Sequence, residues 1–302
     1  LNKSLKIAVV GIGGIGGLLA ALFEKNHFQT TAVSSKHSVN QINRNGLNVS
    51  SAFFGSFNSK PIAMETLKND IDIVFFTTKY PYLKESFNRI EKSKIGNPIF
   101  ISLLNGIGNR EIIINNFGNN FVTGNIGSIQ VHRDEEGIIY QELKQAPVIG
   151  LSKEEDVSEG DFKDVIDVIE SVGISTTVFP SYEEVIWSKL VRLGALSSAT
   201  AAFQKTIGEI RNDDFMREIL LCLIEEGSLV ANSVGVSTDK FKVEKQIDEL
   251  PYDLTTSLSR DIFQRSPSEL ESITMAIIKT ATENRIATPN YENILKIILE
   301  KY

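Results

Sequence analysis

One cysteine in 302 residues, Cys222, excludes an internal disulfide and fits a reducing compartment. It lies in the apolar run Ile219–Ile224 and reads as a small core residue rather than a nucleophile. Histidine is almost as scarce. His27, His37 and His132 stand far apart with no metal-ligand spacing, so neither a structural nor a catalytic metal is expected. No run of 18 apolar residues occurs, which leaves no candidate membrane helix. The first apolar run, Ile7–Val10, is too short for a signal-peptide core and leads into glycines. Dense basic stretches are missing too. With 38 acidic against 31 basic residues the net charge is −7, which argues against nucleic acid or an anionic membrane as a partner. A cytoplasmic protein is expected.

What remains is ordinary for a globular chain: 42% hydrophobic and 23% charged residues, with length enough for two domains. Up to residue 180, short β-type runs alternate with helical ones, the pattern of a doubly wound sheet. Strands are expected at Lys6–Val10, Thr30–Val33, Asp72–Thr77, Pro98–Leu103, Phe121–Gly124, Ser128–His132, Ile138–Tyr140, Val148–Gly150 and Thr176–Phe179, with a helix over Asp161–Ser171. The stretch Asp134-Glu135-Glu136-Gly137 reads as a hairpin turn, so the later strands should turn antiparallel.

From Ser181 the alternation stops. Helical patterns run over Glu183–Phe203, Asp213–Ser233, Val243–Ser259, Pro267–Asn284 and Tyr291–Lys301. Pro180-Ser181 is the natural boundary, with Ser181 able to cap the first helix. The expectation is an α/β Rossmann-type dinucleotide-binding domain over 1–180, then an all-α domain over 181–302 for substrate and dimerisation. Substrate should meet cofactor in the cleft that two such domains make.

The strongest local signal follows the first strand. Gly11-Ile12-Gly13-Gly14-Ile15-Gly16 lies between Lys6–Val10 and the apolar helical run Leu18–Phe23, the context a G-x-G-x-x-G fingerprint requires. Gly11 makes the tight turn, Gly13 admits a pyrophosphate, and Gly16 allows close helix–strand packing. Gly14 and Ile15 would add their N–H groups at the positive helix end. After the second strand the chain reads Val33-Ser34-Ser35-Lys36-His37, without the carboxylate that would bind a ribose 2′-OH. Ser34, Ser35 and Lys36 suit a 2′-phosphate instead, so NADPH is favoured over NADH. A plain polar turn with a solvated lysine is the alternative.

Four more residues attract notice. Lys79 ends an apolar strand at the carboxyl edge, where open α/β sheets bind ligands. Asn105 also follows a strand and offers both a donor and an acceptor, although Asn105-Gly106 is equally a common turn. Lys189 falls between Leu193 and Leu196 on the apolar arc of its helix, while Glu184, Ser188 and Arg192 take the polar side. Such a lysine either snorkels or serves a site, where its ammonium could donate a proton. Glu269 has a structural alternative, since Ser266-Pro267-Ser268-Glu269 reads as a capping box.

Taken in order, the glycine loop, Thr77-Thr78-Lys79, Leu104-Asn105-Gly106-Ile107-Gly108, Trp187-Ser188-Lys189-Leu190, Ser257 with Asp261-Ile262, and Ser268-Glu269 resemble the ketopantoate reductases over nearly the whole chain. The resemblance implies NADPH-dependent reduction of a 2-oxo acid, 2-dehydropantoate to pantoate in the family, and a role in pantothenate biosynthesis. It implies Lys189 and Glu269 as catalytic groups, Lys79 and Asn105 near the cofactor, and Asn105, Lys189, Ser257 and Glu269 at the substrate. The family usually carries Asn four and eight residues after this lysine, where Leu193 and Ser197 stand here. Its usual Arg beside Ser34 and Ser35 is absent as well. A reductase of a less polar 2-oxo acid, or a non-catalytic dinucleotide sensor, are the alternatives. A homodimer is left open.

Overall fold

The computed structural model describes residues 4–127 and 129–301. Its strands and helices follow in the order β1 Lys6–Val10, α1 Gly14–Lys25, β2 Gln29–Val33, α2 Lys36–Asn45, β3 Leu47–Ser51, β4 Gly55–Ser59, β5 Ile62–Met64, β6 Ile73–Phe76, α3 Leu83–Ser86 and β7 Ile99–Ser102. Next come α4 Asn109–Phe117, β8 Phe121–Gly127, β9 Val131–Arg133, β10 Ile138–Gln141, β11 Val148–Lys153, α5 Glu159–Ser171 and β12 Ser175–Val178. The remainder is helical: α6 Tyr182–Phe203, α7 Ile207–Asn212, α8 Asp214–Ser233, α9 Lys240–Asp248, α10 Ser257–Phe263, α11 Ala276–Glu283 and α12 Pro289–Lys301. The chain divides into two compact units, Leu1–Leu104 with Asn109–Val185, and Asn105–Gly108 with Ile186–Tyr302.

In the first unit, eight strands run in the order β12-β11-β8-β7-β6-β1-β2-β5. β1 pairs parallel with both β2 and β6, so the strand order reverses at β1. Ile7, Ala8, Val9 and Val10 have no exposed surface, because a parallel strand in mid-sheet is covered on both faces. One face packs Leu18, Leu19, Leu22 and Phe23 of α1 with Phe162 and Val165 of α5. The other packs Leu83 and Ile113 against Phe76 and Phe100. β11 pairs antiparallel with β8.

The expected strand at Ile138–Tyr140 forms, but in a second sheet of order β4-β3-β10-β9 whose strands lie against α1. The acidic turn joins β9 to β10 as an antiparallel hairpin. The strand expected at Ser128–His132 starts later, at Val131, and its first residue lies outside the described residues. β3, β4 and β5 have no counterpart in the sequence reading. Leu47-Asn48-Val49-Ser50-Ser51 and Gly55-Ser56-Phe57-Asn58-Ser59 are short and largely polar, and cross-strand pairing stabilises them instead of a continuous apolar run.

Ser181 caps α6, its hydroxyl accepting from the Glu184 N–H at 3.2 Å. α6 is pressed close to its neighbours: a side chain at Gly194 would meet Ile277 and the Tyr291 hydroxyl. Two helix expectations need correction. The segment 243–259 is not one helix; α9 ends at Asp248 and α10 starts at Ser257 behind the N-cap Thr256. The capping box at Ser266–Glu269 does not form either. The Ser266 hydroxyl donates to Asp261 O, and the helix begins at Glu271 with one π-type turn, Glu271–Met275, before α11. Cys222, expected in the core, is only partly buried on α8; burial and the carboxylates of Glu218, Glu226 and Glu225 raise its thiol pKa, which suits an inert thiol. Among the described residues no helix is long and apolar enough to cross a membrane, and no group of His, Cys, Asp and Glu could hold a metal ion.

Candidate active site

The glycine loop opens directly from β1. Gly11 takes φ +100°, and its N–H donates to Val33 O at the end of β2. A Cβ on Gly16 would strike Gly11 O and the Thr77 hydroxyl, so glycine there is what lets α1 approach the strand edge. Gly13 faces open space, which leaves room for a phosphate. α1 starts behind Gly13 with no side-chain cap and no acidic residue in its first turn, so the positive end of its dipole is uncompensated. β6, the other parallel neighbour of β1, ends beside the same loop. Thr77 Oγ1 donates to Gly11 O at 2.8 Å, while the buried Thr78 hydroxyl, beside Gly11, has no hydrogen-bond partner among the described residues. An open glycine turn, an uncapped helix start and an orphaned hydroxyl at the point of strand-order reversal fit a dinucleotide pyrophosphate.

The end of β2 contains no carboxylate. Ser35 caps α2, accepting from the Ser38 N–H at 3.5 Å, and Lys36 is the exposed first residue of that helix. Two cations missed by the sequence reading lie here. Arg133, from β9, donates to Ile12 O at 2.8 Å, to the Ser38 hydroxyl at 3.3 Å and to Gln41 Oε1 at 3.1 Å. Its desolvation depresses the guanidinium pKa, opposed by the charge of Asp134. Arg89 donates to Ser34 O at 3.1 Å. Arg133 is 121 positions from Ile12, so no local pattern could have revealed it. Lys79 is exposed at the carboxyl end of β6, ahead of the helical turn Tyr80–Tyr82.

The second cluster belongs to the helical unit. Lys189 Nζ donates to Asn105 Oδ1 at 2.8 Å, and Asn105 Nδ2 donates to Glu269 Oε2 at 3.0 Å. The short segment Asn105–Gly108 is pinned to this unit by its backbone. Ile107 N–H donates to Ser272 O at 2.8 Å, and Gly106 has φ +82° with its missing Cβ directed at that same carbonyl. Only glycine suits both conditions. The Asn-Gly turn therefore exists, and it also fixes the Asn105 amide between a cation and an anion. Glu269 is 7% exposed, and in place of a cap it accepts from Asn105.

Burial lowers the pKa of Lys189 to about 8; the negative charge of Glu269 opposes that shift and the positive charge of Arg192 adds to it. Trp187, Leu190 and Val191 are buried and anchor this part of α6. Of the residues assigned to its polar side, Ser188 is exposed, whereas Arg192 is partly buried. Leu193 is partly buried, and Ser197 is 1% exposed within the helical unit. Ser257 is exposed on the first turn of α10. A lysine poised near neutrality and oriented by an amide and a carboxylate can protonate a developing alkoxide.

A glycine loop that fits a dinucleotide in one unit and a lysine–amide–carboxylate cluster in the other are features of an oxidoreductase. The sequence profile described as ketopantoate reductase PanE/ApbA matches residues 7–154, and the one described as its C terminal matches residues 181–301. The chain belongs to the ketopantoate reductase PanE/ApbA family. Among curated proteins it is 24% identical over 290 residues to 2-dehydropantoate 2-reductase of Pyrococcus horikoshii, covering 94% of this chain and 93% of that protein. It is 21% identical over 300 residues to the enzyme of that name from Halobacterium salinarum, covering 97% and 98%. Similar solved structures include 2-dehydropantoate 2-reductase from Geobacter metallireducens, with TM-score 0.88, 20% identity and coverage of 99% and 100%. Another is a D-mandelate dehydrogenase holding NADH and anilino(oxo)acetate, with TM-score 0.86, 19% identity and 98% coverage of both chains.

Proposed function

We propose that this protein uses NADPH to reduce a 2-oxo acid to the 2-hydroxy acid, with 2-dehydropantoate the first substrate to test. The observation that carries the reading is the Lys189–Asn105–Glu269 chain of hydrogen bonds. When bound, the nicotinamide supplies the hydride. Lys189 polarises the carbonyl oxygen and gives it a proton; with a pKa of about 8, it is mostly charged at pH 7 and still acidic enough to donate. Asn105 orients that ammonium, and Glu269 fixes the amide so that its oxygen faces Lys189 and its NH2 the carboxylate. Ser257, exposed at the start of α10, is proposed as a further substrate contact.

The choice of NADPH is supported by Ser34, Ser35 and Lys36 in place of an acidic residue, and by the Arg133 and Arg89 guanidiniums beside them. Lys79, exposed at the carboxyl end of β6, is proposed to contact the cofactor. Leu193 and Ser197, in place of two amides, favour a second reading in which the substrate bears a less polar substituent. A similar fold whose solved structure holds anilino(oxo)acetate is in keeping with that reading.

The test is kcat/KM for 2-dehydropantoate and for phenylglyoxylate, each with NADPH and with NADH. The proposal expects turnover of at least one acid, faster with NADPH. NADPH binding without turnover of any 2-oxo acid would instead favour a sensor.

A further inference from the structure

Arg192 is an unexplained charge of the helical unit. It follows Lys189 by three residues on α6, a spacing that puts two Cβ atoms about 5–6 Å apart on one helix face. Its side chain is partly buried, yet it makes no hydrogen bond or ion pair among the described residues. Desolvation lowers its pKa and no carboxylate raises it. The nearby anion, Glu269, acts on Lys189 and Asn105 instead. A desolvated guanidinium without a counterion is unfavourable, and structures usually supply it with a partner. Among the described residues no such partner stands.

A 2-oxo acid is an anion whose carboxylate is bonded directly to the ketone carbon. A site that places an ammonium on the ketone oxygen therefore needs its second cation close by, and a planar fork suits a carboxylate better than a point charge does. We propose that Arg192 is the substrate-binding residue that receives the carboxylate of the 2-oxo acid, in bidentate contact, while Lys189 engages its ketone oxygen. The proposal rests on the reading of the protein as a 2-oxo acid reductase and names what that substrate must carry. It also fits Leu193 and Ser197: with the carboxylate held by a guanidinium, those two positions need not carry amides. Selectivity then divides, Arg192 requiring the acid and Leu193 tolerating an apolar substituent.

The test compares wild type, Arg192→Gln and Arg192→Lys on phenylglyoxylate, 2-dehydropantoate and the uncharged methyl phenylglyoxylate. Calorimetric binding of oxamate, an unreactive 2-oxo acid analogue, is measured beside the kinetics, with Tm as the control. Arg192→Gln should raise KM for the acids and weaken oxamate by about a hundredfold or more, with a smaller effect on kcat. The ester should be little affected, Arg192→Lys should recover part of the loss, and Tm should hold or rise because an unpaired charge has gone. Arg192→Gln with undiminished preference for acid over ester and normal oxamate affinity would overturn the proposal and leave the reductase reading standing. Equal loss on acid and ester with a lowered Tm would make Arg192 structural and overturn it as well. A wild type that neither reduces a 2-oxo acid nor binds oxamate would remove the reductase reading, and the proposal with it.

Discussion

The protonation state of Lys189 makes the most exacting prediction. If its ammonium gives the proton that accompanies hydride transfer, the reductive rate must follow the protonated fraction. With a pKa of about 8, about nine-tenths of the lysine is charged at pH 7 and about one-tenth at pH 9, so kcat for reduction should fall about tenfold between them. The reverse oxidation needs the neutral amine and should rise over the same range. Glu269→Gln removes the charge that holds the pKa up but keeps an amide oxygen to accept from Asn105, so the reductive limb should move to lower pH. Arg192→Gln removes a cation that pushes the pKa down, and the limb should move up. The assay is NADPH oxidation at saturating substrate from pH 6 to 10, repeated with deuterated NADPH so that only conditions with a primary isotope effect are used. A flat profile, or Glu269 and Arg192 variants whose limbs shift the same way, would refute the argument.

Three other outcomes are expected. Arg133→Gln should weaken NADPH more than NADH, and Lys36→Glu should reverse the preference by about 1–3 kcal/mol; fluorescence titration with both cofactors decides, and equal binding by wild type would count against NADPH. Gly106→Ala should lower both Tm and kcat, because φ +82° and Ser272 O leave no place for a methyl group and the Asn105 turn must move; normal activity would show that the turn is dispensable. Leu193→Asn should raise kcat/KM for 2-dehydropantoate, whereas Ser197→Asn should cost about 1–3 kcal/mol of stability from overpacking at a site only 1% exposed; urea unfolding measures the second, and an unchanged midpoint would show spare volume beside Ser197.

The central sheet was legible because its strands are apolar runs buried on both faces, as in Ile7–Val10 and Ile73–Phe76. β3 and β4 escaped because they are short and half-polar, and what holds them is pairing with each other and with β10. Glu269 shows how local signals can mislead. The Ser266-Pro267-Ser268-Glu269 pattern satisfies a capping box on paper, but the tertiary partner Asn105, 164 positions away, takes the carboxylate. Lys189, Asn105 and Glu269 each stood out for separate reasons. Their contact did not, since hydrogen bonds spanning 84 and 164 positions leave no trace in spacing. Periodicity puts Arg192 on the polar side of its helix, yet it is partly buried, because helical periodicity gives direction around an axis but not what covers each side.

The reductase account stands most directly on the transient rate of NADPH oxidation by Lys189→Ala mixed with saturating 2-oxo acid. Loss of the proton donor should slow the chemical step by about 10²–10⁴-fold while the NADPH dissociation constant stays near that of wild type. A variant that oxidises NADPH at close to the wild-type rate would contradict it.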